Sequence, residues 1–262
     1  MKKYLVIGNP IKHSLSPQLH NYWIKNNNIN AVYEKKQFSS GDLQNLILLI
    51  KQKKIEGANI TVPFKREIIS YLDQLSYESS KTQSVNTVYL SNEKVVGHNT
   101  DIDGFELAVK DINYDVKNKK ILILGAGGVV PSIIFALNKM KAKNILVTNR
   151  TISKARELKR LFPDVSIIEW GKTPEFDMII NATSLGLNDK DHINIDFSLN
   201  RNKFFYDVIY NPKETKFLRD AKKLGNTIEN GRKMFIFQAA AAFEIWHGIK
   251  PKTNSEVNRL LD

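Results

Sequence analysis

"ILILGAGGVVPS", Ile121 to Ser132, decides how the rest of the chain is read. An apolar strand runs into Gly125, Ala126, Gly127 and Gly128, and a helix with Pro131 in its first turn follows. A proline there costs no bond, because the first N–H groups of a helix have no intrahelical partner. Gly125 permits the tight turn, while Gly127 and Gly128 let backbone N–H groups approach a pyrophosphate at the positive end of the helix. Val130 replaces the third glycine of a strict G-x-G-x-x-G, so the loop taken alone also suits an ordinary βα turn.

The next strand, "NILVTN" (Asn144–Asn149), sharpens the reading. At its end a dinucleotide fold places the group that reads the ribose 2′ position. An acidic residue would accept a 2′-hydroxyl. The chain instead carries Asn149, Arg150, Thr151 and Lys154 in "NRTISKA", cations and donors that suit a 2′-phosphate. The expected cofactor is NADP(H).

Outward from this turn, the second half alternates strands and helices: helices near Pro131–Lys141 and Ser153–Leu161, then strands in "VSIIEW", "FDMIINAT" and "KFFYDVIY". Strands this apolar belong to a parallel sheet covered on both faces. The first half repeats the alternation, with strands at Tyr4–Gly8, Ala31–Phe38 and Gly57–Thr61 and helices at Pro17–Asn26, Asp42–Lys51 and Lys65–Leu72. A hairpin of Asn86–Leu90 and Lys94–Thr100 follows, then a helix over Asp101–Lys110. The polar Asn113–Lys120 is the compositional break between the halves, and an apolar helix, "RKMFIFQAAAAFEIWHG", and a short tail close the chain. The fold class is α/β: an N-terminal domain with a mixed sheet and a Rossmann-type domain with a parallel sheet.

Composition narrows the function. The 262 residues exceed what one core usually organises. Cysteine is absent, which removes disulfides, thiolate metal sites and a cysteine nucleophile together. The five histidines, at positions 13, 20, 98, 192 and 247, show no paired ligand spacing with carboxylates, so no metal is expected. The net charge of +12 comes mostly from scattered lysines, since arginine supplies 8 of the 39 basic residues. Without arginine–aromatic interleaving this is a solvated surface, and no specific nucleic acid is expected. The apolar run after Met1 is short for a signal segment and no apolar stretch reaches membrane-spanning length, so a cytoplasmic protein is expected.

Polar residues gather where strands of the first half end. "HSLSP" brings Ser14 and Ser16, "NITVPFK" brings Asn59, Thr61 and Lys65, "VNT" brings Asn86, and "HNTD" brings Asn99 and Asp101. Ligands sit at the carboxyl ends of strands in open α/β sheets, so these loops can converge on one small polyhydroxylated molecule. Ser14, Ser16 and Asp101 also suit helix N-caps, and Lys65 alone would be a surface lysine.

Together these residues carry a resemblance. "GNPIKHSLSPQLHN", "GANITVPFK", "VNTV", "GHNTDIDGF", "LGAGG", "NRT", "NATSLG", "DVIYNPKETKFL" and "GRKMFIFQAA" occur in an order that resembles the shikimate dehydrogenases of the shikimate/quinate dehydrogenase family over nearly the whole length. The resemblance implies reversible, NADP-dependent reduction of 3-dehydroshikimate to shikimate, within aromatic amino acid biosynthesis. It implies Lys65 and Asp101 as the catalytic pair. Ser14, Ser16, Thr61, Asn86 and Gln238 would hold the substrate's carboxylate and hydroxyls, with Asn59 and Tyr210 close by. Toward the cofactor it implies Gly125, Ala126, Gly127, Gly128 and Val129, the Asn149–Lys154 stretch with Arg150 and Thr151, and Thr183, Val208, Gly231 and Met234, the last against the nicotinamide. It also implies that the closing helix returns to the first domain, giving domains 1–103 with 238–262 and 104–237. A monomer or homodimer is expected. Val129–Ser132 and Ser84 depart from the family's usual small or basic residues in the glycine loop and its alanine before "VNT".

Ketone reduction needs a proton for the developing alkoxide. An ammonium can supply it while a neighbouring carboxylate orients it, work assigned here to Lys65 and Asp101. Two alternatives stand beside this reading. One is an NAD-using quinate/shikimate dehydrogenase, which "NRT" and the serine pair of "SLSP" disfavour, since the resemblance implies a threonine at the second position for quinate. The other is a non-catalytic NADP-binding or nucleic-acid-binding module on the same fold.

Overall fold

The structure, a computed structural model, describes residues 1–188, 190–198 and 200–262. It divides into two compact units, Met1–Gly104 with Ile236–Asp262, and Phe105–Phe235. The polar Asn113–Lys120 lies inside the second unit, so that compositional break marks the turn between a helix and the first strand of the second sheet.

In the first unit, β1 (Lys2–Gly8), α1 (Ser16–Asn26), β2 (Ala31–Gln37), α2 (Leu43–Lys51) and β3 (Gly57–Ile60) alternate, followed by β4 (Gln74–Leu75), α3 (Tyr77–Thr82), β5 (Thr87–Ser91) and β6 (Lys94–His98). The sheet order is β2-β1-β3-β5-β6-β4. β1 pairs in parallel with β2 and β3, and β5 runs antiparallel to β3 and β6. The sheet is therefore mixed. Leu5 and Ile7 of β1 meet Leu43, Leu46, Ile47 and Ile50 of α2 on one face. Each such side chain, once fully buried, contributes about 1.5–3 kcal/mol.

The other face is aromatic. Tyr4 of β1 lies 5.0 Å from Trp246, and Trp23 of α1 lies 5.6 Å from Phe243. His20 of α1 is buried among them, stacked on Tyr33 at 4.1 Å, with neither ring nitrogen hydrogen-bonded.

Burial, and then the neighbouring His247, pull the His20 imidazole down to about 3; burial, and then Lys2, pull His247 down to about 4. Unfolded, both take up protons near pH 6.5. Stability is thus complete above about pH 6.5 and falls as pH drops, for His20 by up to about 1.4 kcal/mol per pH unit. Asp207 of the second unit, raised to about 6 by burial, acts in the opposite sense and offsets part of this loss between about pH 6 and 4. His20→Phe keeps the stacking and removes the titration. Urea midpoints measured from neutral to acidic pH should fall less steeply for this variant than for the wild type; parallel declines would contradict the assignment.

The loop after β3 differs from the helix expected over Lys65–Leu72. Phe64 and Ile68 have helical spacing, and Ile68 N does donate to Phe64 O at 3.0 Å. The carbonyl of Lys65, however, accepts from Val85 N at 2.8 Å, and Ile69 N turns to Arg66 O at 3.3 Å. A tertiary hydrogen bond interrupts the ladder, leaving turns and a short 3₁₀ segment, Glu67–Tyr71.

α4 (Asp101–Asp111) contains the division between the units. The second unit holds β7 (Lys120–Leu124), α5 (Val130–Lys139), β8 (Asn144–Thr148), α6 (Ile152–Leu161), β9 (Ser166–Ile168), β10 (Met178–Asn181), β11 (Phe204–Asp207), α7 (Lys216–Lys223) and β12 (Thr227–Glu229). α8 (Arg232–His247) and α9 (Ser255–Leu260) end the chain. The sheet is parallel throughout, in the order β12-β11-β10-β7-β8-β9. Counted from its own first strand and taken from the β9 edge, this is 3-2-1-4-5-6, the doubly wound Rossmann order, whose switch point between β7 and β10 is where such sheets bind dinucleotides. Among the described residues no helix is long and apolar enough to cross a membrane.

Candidate functional site

Four buried polar residues of the first unit form one network, with the half-buried Gln238 at its edge. β3 delivers Asn59, and the turn after it delivers Lys65, of which 9% is exposed. Asp101 is the first residue of α4, where the helix dipole favours a carboxylate. Lys65 Nζ donates to Asp101 Oδ2 in an ion pair whose side chains are 11% and 8% exposed. Asn86 Nδ2 donates to Asp101 Oδ1 at 2.9 Å and reaches Gln238 Oε1 at 3.4 Å.

The scaffold around these groups fixes them. Asn86 Oδ1 accepts from Thr100 N at 2.8 Å, and Asn59 Nδ2 donates to Asn86 O at 3.0 Å and Thr87 Oγ1 at 3.1 Å. Tyr33 donates its hydroxyl to Asn59 Oδ1 at 2.6 Å; burial pushes this phenol well above its ordinary value, so it stays a donor. Asn99 Oδ1 accepts from Asp101 N at 3.2 Å in the turn that leads into α4, and the Asp101 carboxylate is engaged by Lys65. Ser84 supplies a carbonyl to Asn99 Nδ2 at 3.0 Å, so its departure from alanine sits in the scaffold.

Ser14 is half-buried and accepts from Ser16 N at 3.3 Å, a local turn at the start of α1, whose N-cap position is Leu15. Ser16 is buried and hydrogen-bonds the Tyr33 hydroxyl. Thr61 is half-buried, its N–H given to Ile7 O at 2.9 Å at the end of β1. Lys65, Asp101, Asn86, Asn59 and Gln238 are thus brought together, while Tyr210 belongs to the second unit, where it stacks on Phe235 at 4.5 Å. The residues not singled out from sequence are Tyr33, Thr87 and Thr100. The last two stand inside "VNT" and "HNT", next to the residues that were.

In the second unit, the turn after β7 has the geometry of a phosphate cradle. Gly125 adopts φ +113°, and a Cβ there would lie 2.8 Å from Ala182 O, so only glycine fits. Ala126 is half-buried and Gly127 and Gly128 are exposed beside the N-terminus of α5, the end of a helix that favours anions. Val129, half-buried, holds the N-cap position without a side-chain cap bond, and Val130, Pro131 and Ser132 face inward. The departures from the family's glycine loop therefore fill core. After β8, Arg150, Thr151 and Lys154 are exposed, and Asn149 Nδ2 donates to Thr151 O at 2.8 Å. Thr183 follows β10, Val208 follows β11, and Gly231 and the buried Met234 open α8. Among the described residues no cluster of histidine and carboxylate side chains has the makings of a metal site.

Three family models cover the chain: a shikimate dehydrogenase substrate-binding domain matches residues 6–88, a shikimate/quinate 5-dehydrogenase model matches 106–203, and a shikimate 5′-dehydrogenase C-terminal domain matches 231–254. A shikimate dehydrogenase (NADP(+)) of Pelagibacter ubique is 57% identical over 100% of this chain and 99% of its own. Among solved structures, shikimate dehydrogenase of Aquifex aeolicus aligns with TM-score 0.91 at 37% identity, covering 100% of this chain and 97% of its own. Shikimate 5-dehydrogenase of Thermus thermophilus, in complex with NADP(H) and shikimate, aligns with TM-score 0.90 at 30% identity, covering 99% and 98%. With models spanning both units and a full-length relative above half identity, the chain belongs to the shikimate dehydrogenase family.

Proposed function

We propose that this protein catalyses the reversible, NADP-dependent reduction of 3-dehydroshikimate to shikimate in the cytoplasm, as a step of aromatic amino acid biosynthesis. The observation that carries the reading is the buried Lys65–Asp101 pair, held by Asn86 within the unit whose sequence matches a substrate-binding domain. Residues 1–103 with 238–262 form the substrate domain, and 104–237 the NADP domain.

The residues of the second unit fit the dinucleotide. The exposed Gly127–Gly128 backbone and the N-terminus of α5 suit its pyrophosphate, and Arg150, Thr151 and Lys154 suit its 2′-phosphate. Thr183, Val208 and Gly231 complete the cofactor side, with Met234 against the nicotinamide. When bound, NADPH supplies the hydride that reduces the carbonyl carbon.

The chain's own contribution is the proton. Lys65 Nζ gives one to the carbonyl oxygen as it becomes an alkoxide, and takes it back in the oxidative direction. Its positive charge stabilises that oxygen inside a water-poor site, where such a charge acts more strongly than in bulk solvent. Asp101 fixes Nζ, and Asn86 fixes Asp101, so the donor is in place before substrate arrives. Ser14, Ser16 and Thr61 offer hydroxyls, and Asn86 and Gln238 amides, to the substrate's carboxylate and ring hydroxyls.

Spectrophotometry of the purified chain tests the reading: kcat/KM should be highest for shikimate with NADP, and lower when either NAD or quinate is substituted. Preference for quinate with NAD would replace it by the alternative dehydrogenase, and absence of turnover would leave only a binding module. Arg150→Ala should reduce kcat/KM for NADP about tenfold or more, the order expected for one charge-assisted bond to phosphate, with little change for NAD. Equal losses for both dinucleotides would place Arg150 outside the 2′-phosphate site.

A further inference from the structure

The parallel sheet holds a buried carboxylate that the proton-transfer chemistry does not use. Asn181 and Asp207 end the adjacent strands β10 and β11, are paired in register, and are both fully buried. Asn181 Nδ2 donates to Asp207 Oδ1 at 3.0 Å and to Leu185 O at 3.1 Å. Asn181 Oδ1 accepts from Thr183 N at 3.0 Å and from Thr183 Oγ1 at 2.7 Å. On its other side Asp207 accepts from Ile209 N at 3.0 Å and, through Oδ2, from Thr215 Oγ1 at 2.6 Å. Thr215 is also the N-cap of α7, accepting from Leu218 N at 3.4 Å. Val208 N closes the set on Asn181 O at 2.9 Å.

One carboxylate thus ties together the two loops that leave the C-terminal ends of β10 and β11. A buried carboxylate is costly to desolvate; Asp207 is raised to about 6 even though three donors reach it. The same fold could be reached with an apolar residue at this position, as at Ile180 or Phe205 on the same strands. What the carboxylate adds is orientation, because its oxygens dictate where Ile209 N, the Asn181 amide and the Thr215 hydroxyl must stand. The amide, so fixed, aims its carbonyl at Thr183.

We propose that Asp207, acting through Asn181 and Thr215, is a positioning residue for the dinucleotide: it presets the Thr183 and Val208 loops so that binding need not order them. Pre-formed loops lower the ordering cost of association, so the effect belongs in dinucleotide affinity. The inference rests on the reading that Thr183 and Val208 face the cofactor.

The test uses the full chain, with NADP as the probe. For Asp207→Asn and Thr215→Val, Kd and KM for NADP should rise together by about tenfold or more, as for loss of a hydrogen bond to a charged acceptor. KM for shikimate should change less than twofold, and kcat at saturating NADP much less than KM. Thr215→Ser, which keeps the hydroxyl, should restore affinity to within about threefold of wild type. Unchanged Kd in Asp207→Asn and Thr215→Val, or a serine variant as weak as the valine one, overturns the proposal. If Asp207→Asn does not fold, the valine and serine variants at Thr215 decide between the same two outcomes. A wild type that binds NAD but not NADP would refute the cofactor assignment alone, and the comparison is then made with NAD. A wild type that binds neither refutes both.

Discussion

Replacing Lys65 by alanine should lower kcat for 3-dehydroshikimate reduction by roughly 10²–10⁴-fold, the usual contribution of a positioned proton donor. The loss should fall on kcat more than on the KM for either substrate, because Ser14, Ser16, Thr61 and Gln238 are untouched. Removing one member of a buried ion pair can cost about 3–5 kcal/mol when the remaining charge has no compensation. Asp101 retains Asn86 Nδ2 at 2.9 Å and its place at the start of α4, so the folded state should survive. Activity per folded molecule, with far-UV circular dichroism as the measure of folding, separates the two effects. Lys65→Arg should remain impaired, since a planar guanidinium does not occupy the place of a compact ammonium and gives up its proton far less readily. A Lys65→Ala enzyme within a few-fold of wild-type kcat would remove the lysine from the mechanism.

Gly231→Ala should be the most damaging single methyl in the second unit. A Cβ at this position would lie 2.0 Å from Val208 O and 2.5 Å from Val208 C, both backbone atoms. No rotamer can relieve that overlap, and Val208 cannot yield easily because its N–H is bonded to Asn181 O at 2.9 Å. The β11 and β12 connections must separate, at an expected cost of about 3 kcal/mol, the upper range for an overpacked site. That separation also displaces the start of α8 and the Val208 loop, so Kd for NADP should rise along with the loss of stability. Denaturant titration and NADP binding check both parts. An alanine variant with wild-type stability would show that the approach of these two backbones is looser than described.

Much of this architecture is legible in the residues alone. The apolar strand, glycine turn and helix at Ile121–Ser132 point to the Rossmann unit, and the strand order agrees with it because short apolar strands alternating with helices have few ways to pair. Three short helices went unread: α3, α7 and α9, of six, eight and six residues. Each is too short for periodicity to stand out, yet each begins at a capping side chain, Ser76, Thr215 or Asn254, that the sequence displays. The expected helix at Lys65 failed for the opposite reason: its local pattern was helical, and a carbonyl bond to Val85, distant in sequence, prevailed.

The site was legible to a different depth. Lys65 lies in the turn after β3, Asn86 just before β5 and Asp101 at the start of α4, element boundaries where polar residues are conspicuous. Tyr33 went unread, and Asn181, Asp207 and Thr215 stand in "NATSLG" and "DVIYNPKETKFL" without a partner assigned, because what a buried polar residue on or beside a strand bonds to has no local signature. Its role exists only once neighbouring strands pair and bring Asn181 beside Asp207, or Tyr33 beside Asn59. Resemblance supplied many of the proposed cofactor residues, and packing supplied the reasons they stand where they do.

The proposal that Lys65 and Asp101 act as one unit is tested most directly by a kinetic double-mutant cycle. The kcat values of Lys65→Ala, Asp101→Asn and the double variant are compared with wild type, each at saturating 3-dehydroshikimate and NADPH. If Asp101 works only by holding Lys65 Nζ, the double variant should be no slower than Lys65→Ala alone, within about threefold, since residues acting as a unit are strongly non-additive. A double variant slowed by the product of the two single losses would contradict the account and assign Asp101 a separate role.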